Sequence, residues 1–153
     1  MSETYYVKTF GGLEITNDNV TVNIVELFGK QLVNLLQVLL FHSEKPVQKD
    51  ELIDILWPES KNPSAALKVS IFRLRSELNE IDFFKDKEVI VTTRKGYILN
   101  PNLDWNIDFV ELEKAYNQIN EGAELLDEKE FKIARKIFRL YQGRFYASPS
   151  QLH

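Results

Sequence analysis

The run that begins Asn62-Pro63-Ser64 and continues through Leu67, Ile71, Leu74 and Leu78 constrains this chain more than any other feature. A cap-type asparagine before a proline starts a helix. The four apolar residues recur at three- and four-residue steps and so fall on one stripe. The pattern predicts a helix over 64–79 with one side committed to a core. At ~100° per residue, Ala65, Val69, Phe72, Arg73 and Ser76 lie roughly opposite that stripe, flanked by Lys68 and Arg75. Such a face, taken alone, is an ordinary solvated one.

What surrounds the helix changes that reading. Two further helices precede it. The first is predicted over Lys30–His42, where Leu32, Leu35, Leu36, Leu39 and Leu40 share a side. The second is predicted over Lys49–Trp57 and is stopped by Pro58. After it, Val89–Thr93 and Gly96–Leu99 read as strands joined across Arg94-Lys95, a hairpin with a basic tip. Before all of these, Thr4–Ile15 reads as two short strands broken by Gly11-Gly12. Asn17-Asp18-Asn19 reads as a turn, and Val20, Val22 and Ile24 as a further strand. Beyond Pro101–Trp105, the expected boundary, two amphipathic helices are predicted. One carries Phe109, Leu112, Ala115, Tyr116 and Ile119. The other carries Phe131, Ala134, Ile137, Phe138 and Tyr141 and ends at Gly143. The expected fold class is α+β: a winged helix-turn-helix with an N-terminal antiparallel sheet and a C-terminal wing hairpin, followed by a helix pair.

Charge supports an interface at the third helix. The chain is net −4 overall, but its charges are segregated. Residues 61–100 carry net +3 and 131–153 carry net +5, whereas 1–60 and 101–130 carry −5 and −7. No acid occurs between Lys61 and Arg75. Screening cancels charges beyond ~8–10 Å, so a local basic stripe matters more to a phosphate backbone than the total. A guanidinium such as Arg73 can grip a guanine edge, and small apolar groups can touch a thymine methyl.

Other chemistries lack their residues. The absence of cysteine excludes disulfides and thiolate sites. The histidines are His42 and His153, which make no nucleophile pair or metal cluster. Gly29-Lys30 lacks the remainder of a phosphate-binding loop. No enzymatic activity, cofactor or metal is expected. The longest apolar run, Val38–Phe41, is far below the ~20 residues of a membrane span. The first residues have no secretory pattern, so a cytoplasmic protein with no membrane contact is expected.

Four segments in order resemble a known family. They are Phe10-Gly11-Gly12-Leu13-Glu14-Ile15, Leu52-Ile53-Asp54-Ile55-Leu56-Trp57-Pro58, Ile71-Phe72-Arg73-Leu74-Arg75-Ser76-Glu77-Leu78 and Lys95-Gly96-Tyr97-Ile98-Leu99. Together they resemble OmpR-type winged-helix transcriptional regulators. The Phe-Gly-Gly and Leu-Trp-Pro are more particular to the subgroup of antibiotic regulatory proteins, SARPs. Asp108–Leu112 and Ala134–Gly143 resemble the start of that subgroup's bacterial transcriptional activation domain, built of tetratricopeptide-like helices. The resemblance implies three parts: a DNA-binding domain over 1–100, a linker over 101–105 and a partial activation domain over 106–153, shorter than the family's own.

It further implies that 64–79 is the recognition helix, with Val69 and Arg73 as base readers, while Lys68, Phe72 and Arg75 touch phosphate or groove edge beside Ser76. Thr93, Arg94 and Lys95 would form the wing, 93–96, on the minor groove. Trp57 would either offer its indole N–H to a phosphate or serve the core. Phe72 departs from the family, where many relatives carry a polar or basic residue. Implied partners are double-stranded promoter DNA, bound as direct repeats by two protomers, and RNA polymerase, with activation as the outcome. The C-terminal pair either packs on the winged helix or faces another chain. Its cations Lys132, Arg135, Lys136, Arg139 and Arg144 read as a solvated face or a further DNA backbone contact. The rival to DNA binding is a protein-interaction module on the same scaffold, since folds do not fix function.

Overall fold

Asp18 and Asn19 both take positive φ, 45° and 71°. Aspartate and asparagine tolerate that conformation, and two such residues reverse a hairpin in register with strand twist. They join β2 (Glu14–Asn17) to β3 (Val20–Asn23), with Asn17 paired to Val20. β1 (Thr4–Lys8) lies antiparallel on the other side of β2. The computed structural model describes residues 3–121. The expected helix over Phe131–Tyr141 and its basic cluster lie outside them.

The third strand ends earlier than its alternation suggested. Asn23 instead caps a single-turn helix, α1 (Ile24–Leu27), and its side chain accepts from the Glu26 N–H at 3.3 Å. Ile24 is thereby buried as a helical residue rather than a strand residue. Three longer helices follow: α2 (Lys30–Phe41), α3 (Lys49–Leu56) and α4 (Pro63–Asn79), all packed on one another. In α2 the buried set includes Val33 and Val38 besides the five leucines, so it is apolar over most of its circumference and fills the centre. Asn62 caps α4, accepting from the Ala65 N–H at 3.4 Å, and Pro63 occupies the first turn. Leu67, Ile71, Leu74 and Leu78 are all buried, as the stripe required.

A short 3-10 turn, Asp82–Phe84, leads to the hairpin β4 (Ile90–Thr92) and β5 (Tyr97–Leu99). The chain then returns to the N-terminal sheet. β6 (Asp104–Ile107) runs parallel to β1, with Tyr5 opposite Trp105 and Val7 opposite Ile107. The sheet order is β3-β2-β1-β6, so the sheet expected to be antiparallel is mixed. Residues 104 and 105 of the expected linker are therefore strand. Parallel strands need a long crossover, and here the three-helix body and hairpin supply it.

An aromatic cluster makes the return hold. The Tyr5 ring lies 4.8 Å from Phe84 and 5.4 Å from Trp105, and the Trp105 indole N–H donates to the Asn100 carbonyl at 3.1 Å. α5 (Asp108–Glu121) follows without a break. The Asp108 carboxylate accepts from the Thr9 N–H (2.9 Å), the Thr9 hydroxyl (2.5 Å) and the Phe10 N–H (3.3 Å). Phe109 is fully buried, 4.4 Å from the Phe41 ring. Farther along, Ala115 is exposed and Leu112 and Tyr116 are half-buried, so the predicted apolar side is less covered there than at Phe109.

Candidate nucleic-acid interface

The burial of four apolar residues on α4 turns its other side to solvent. Lys68, Val69, Phe72, Arg73 and Ser76 are all exposed, as is Ala65. Ser70, between them in sequence, is buried on the core side. The structure therefore brings five of the expected site residues onto one open helical face.

Arg75 serves a different end. It is half-buried and donates through Nε to the Ile90 carbonyl at 3.2 Å and through Nη2 to the Thr92 hydroxyl at 2.6 Å. Two of its five donors thus clamp α4 to the first strand of the hairpin. Asn79 adds a second clamp one turn on, donating to the Arg75 and Lys87 carbonyls at 3.1 and 3.2 Å. Lys87 in turn donates to Glu3 and to the Tyr5 hydroxyl, both at 2.6 Å. The hydrogen bond to Glu3 raises the Lys87 pKa and holds the Glu3 carboxyl below its usual range. The pair is open to water and contributes little stability.

The hairpin tip is organised from within. The Thr93 hydroxyl accepts from the Lys95 and Gly96 N–H groups, both at 3.1 Å, while the Thr93 N–H donates to the Gly96 carbonyl at 2.7 Å. Thr93 is half-buried and builds the turn; Arg94 and Lys95 are exposed at its end. Gly96 is indispensable to this geometry. Its φ is +147°, and a Cβ there would sit 1.9 Å from the Val47 carbonyl oxygen. The close approach exists because Val47, in the α2–α3 connector, exchanges two backbone hydrogen bonds with Tyr97 at 2.8 and 3.0 Å. The hairpin is thus tied to α4 through Arg75 and to the connector through Val47.

Trp57 caps α3 and is half-buried against the core. Lys49, at the start of α3, places its ammonium 5.9 Å from the centre of the buried Tyr97 ring, adding a cation at the base of the hairpin. Lys49, Asn79 and Val47 were not expected from sequence. Their roles depend on contacts between elements that no local spacing announces. Among the described residues no group of His, Cys, Asp and Glu side chains could hold a metal ion, and no helix is long and apolar enough to cross a membrane.

Residues 22–99 match the family described as transcriptional regulatory protein, C terminal. Among solved structures, the DNA-binding domain of Escherichia coli CadC is similar at 28% identity and a TM-score of 0.44, covering 56% of this chain and 77% of that one. Mycobacterium tuberculosis EmbR, solved with a low-affinity phosphopeptide, is similar in fold at 20% identity and a TM-score of 0.52 over 97% of this chain. This chain spans 37% of the EmbR chain. No curated protein matches.

Proposed function

The chain belongs to the family of C-terminal domains of transcriptional regulatory proteins, and from that premise we propose that it binds double-stranded DNA sequence-specifically and activates transcription. α4 enters the major groove. Arg73 and Val69 meet base edges there, and Lys68 and Ser76 meet the groove wall or phosphate. Arg94 and Lys95, at the tip of the 93–96 wing, lie along the minor groove, with Trp57 at the phosphate backbone. Thr93 and Arg75 act by holding the wing in place, although Arg75 retains donors that can reach a phosphate. The reading is supported above all by one observation: an open, acid-free helical face is hydrogen-bonded through Arg75 to the hairpin whose exposed tip is Arg94-Lys95. A helix has the width of the major groove, and a rigid second element fixes its register.

Two protomers on direct repeats, RNA polymerase as partner, a cytoplasmic setting and a partial activation domain over 106–153 are the remaining parts of the proposal. The resemblance to OmpR-type and SARP regulators motivates the repeats, the polymerase and, through Asp108–Leu112 and Ala134–Gly143, the activation domain; the DNA-binding role motivates the cytoplasmic setting. No catalytic role is proposed.

Titration of duplex DNA across a salt series tests the reading. Each phosphate neutralised by a lysine or arginine releases counterions, so log affinity should fall linearly and steeply with log salt. Binding that is undetectable at ~50 mM salt would favour the protein-interaction module, for which the exposed Val69 and Phe72 are the motivating residues.

A further inference from the structure

The exposed apolar pair on α4 calls for an occupant. Phe72 is 73% exposed, the most open large apolar side chain among the described residues, and Val69, one turn earlier, is 56% exposed. On the same helix Leu67, Ile71, Leu74 and Leu78 are 2% exposed or less. The pair is therefore not core that has drifted outward; it stands on the opposite side. Its surroundings are cationic. Lys68 and Arg73 adjoin it and are exposed, no acid lies between Lys61 and Arg75, and the Arg94-Lys95 tip is tied to the same helix.

An apolar centre ringed by cations complements a surface that is anionic at its rims and carries apolar groups on its floor. The major groove over A·T pairs is such a surface. Phosphates line its edges, and the thymine C5 methyl is the apolar group that its base edges present. We propose that Phe72 reads thymine: its ring packs on the C5 methyl of one or more thymines, with Val69 beside it. The proposal rests on the DNA-binding reading above and adds the base class that the helix selects. The ring offers no hydrogen bond in the plane of a base edge. Guanine O6 and N7 or a cytosine amine covered by it would lose their water partners with no methyl contact to offset the loss, which disfavours those bases relative to thymine.

Deoxyuridine provides the test, because it keeps thymine's pairing and charge and lacks only the methyl. The full chain selects a duplex from random DNA, and affinity is measured with each thymine of the bound site replaced singly by deoxyuridine. The expected result is a loss of about fourfold at one or two positions, the change that follows from removing one buried methyl-sized group. Phe72→Ala should bind the thymine and uracil duplexes equally at those positions, with an unchanged salt slope. Its melting temperature should match the wild type, because the side chain is exposed.

Equal affinity of the wild type for thymine and uracil at every position, with binding retained, refutes the thymine proposal and leaves DNA binding standing. So does a Phe72→Ala variant that keeps the discrimination. Failure of the wild type to bind any duplex overturns both readings and assigns the apolar pair to a protein partner.

Discussion

Single residues carry the wing's geometry, and Gly96 carries most of it. Its positive φ and the 1.9 Å approach that any Cβ would make to the Val47 oxygen leave no room for a side chain. Gly96→Ala should cost on the order of 2–3 kcal/mol, combining backbone strain with displacement of the Val47–Tyr97 bridge. A denaturant titration measures it; a loss under ~0.5 kcal/mol would mean that the connector yields freely. The residues of α4 were readable in sequence because helical periodicity is local: the buried stripe named its own opposite side. Gly96 could be read as a turn residue, but not as a contact, because the atom it approaches lies in another element. Arg75 could be read as exposed and basic, but not as a clamp, for the same reason.

Elements were predictable wherever their signals were self-contained. The Asn62-Pro63 start and the Pro58 stop gave α3 and α4 within a residue or two. α1 was hidden because Val20, Val22 and Ile24 keep a strand's alternation, and the Asn23 cap overrides it only once Glu26 is in place. β6 was hidden because a four-residue strand carries little pattern and its parallel partner, β1, is distant in sequence. A pH effect belongs to the junction of α2 and α3. His42 caps α2, and burial lowers its pKa, opposed by Glu51 at 3.8 Å. A depressed folded pKa means that the unfolded chain binds the proton more readily. His42 therefore favours the folded state fully above the unfolded value of about 6.5 and loses that contribution as pH falls through the folded value. The denaturation midpoint should drop between pH 7.5 and 5.5 more in the wild type than in His42→Gln. Equal slopes would remove His42 from the account.

At the scale of the whole molecule, residues 104–109 belong structurally to what precedes them. β6 pairs with β1, Asp108 receives the backbone of Thr9 and Phe10, and Phe109 lies on Phe41. The Phe10-Gly11-Gly12 and Asp108-Phe109 motifs thus meet in space, and neither spacing nor composition could announce that meeting. A chain ended at residue 103 loses the buried Ile107 and Phe109, roughly 1.5–3 kcal/mol each, against a total stability of about 5–15 kcal/mol for a domain. Its melting temperature should fall sharply or its cooperative transition vanish. An unchanged transition would support the expected independent domain over 1–100.

The proposed base-reading role of the exposed face of α4 is tested most directly by comparing two variants on a panel of duplexes that carry every single base-pair change in the selected site. Arg73→Ala should flatten the preference at one base pair, by about 1–3 kcal/mol, and leave the other positions ranked as before. Lys95→Ala should weaken all duplexes alike and preserve the ranking. If Arg73→Ala instead lowers every duplex equally, or changes none, the exposed side of α4 does not read sequence.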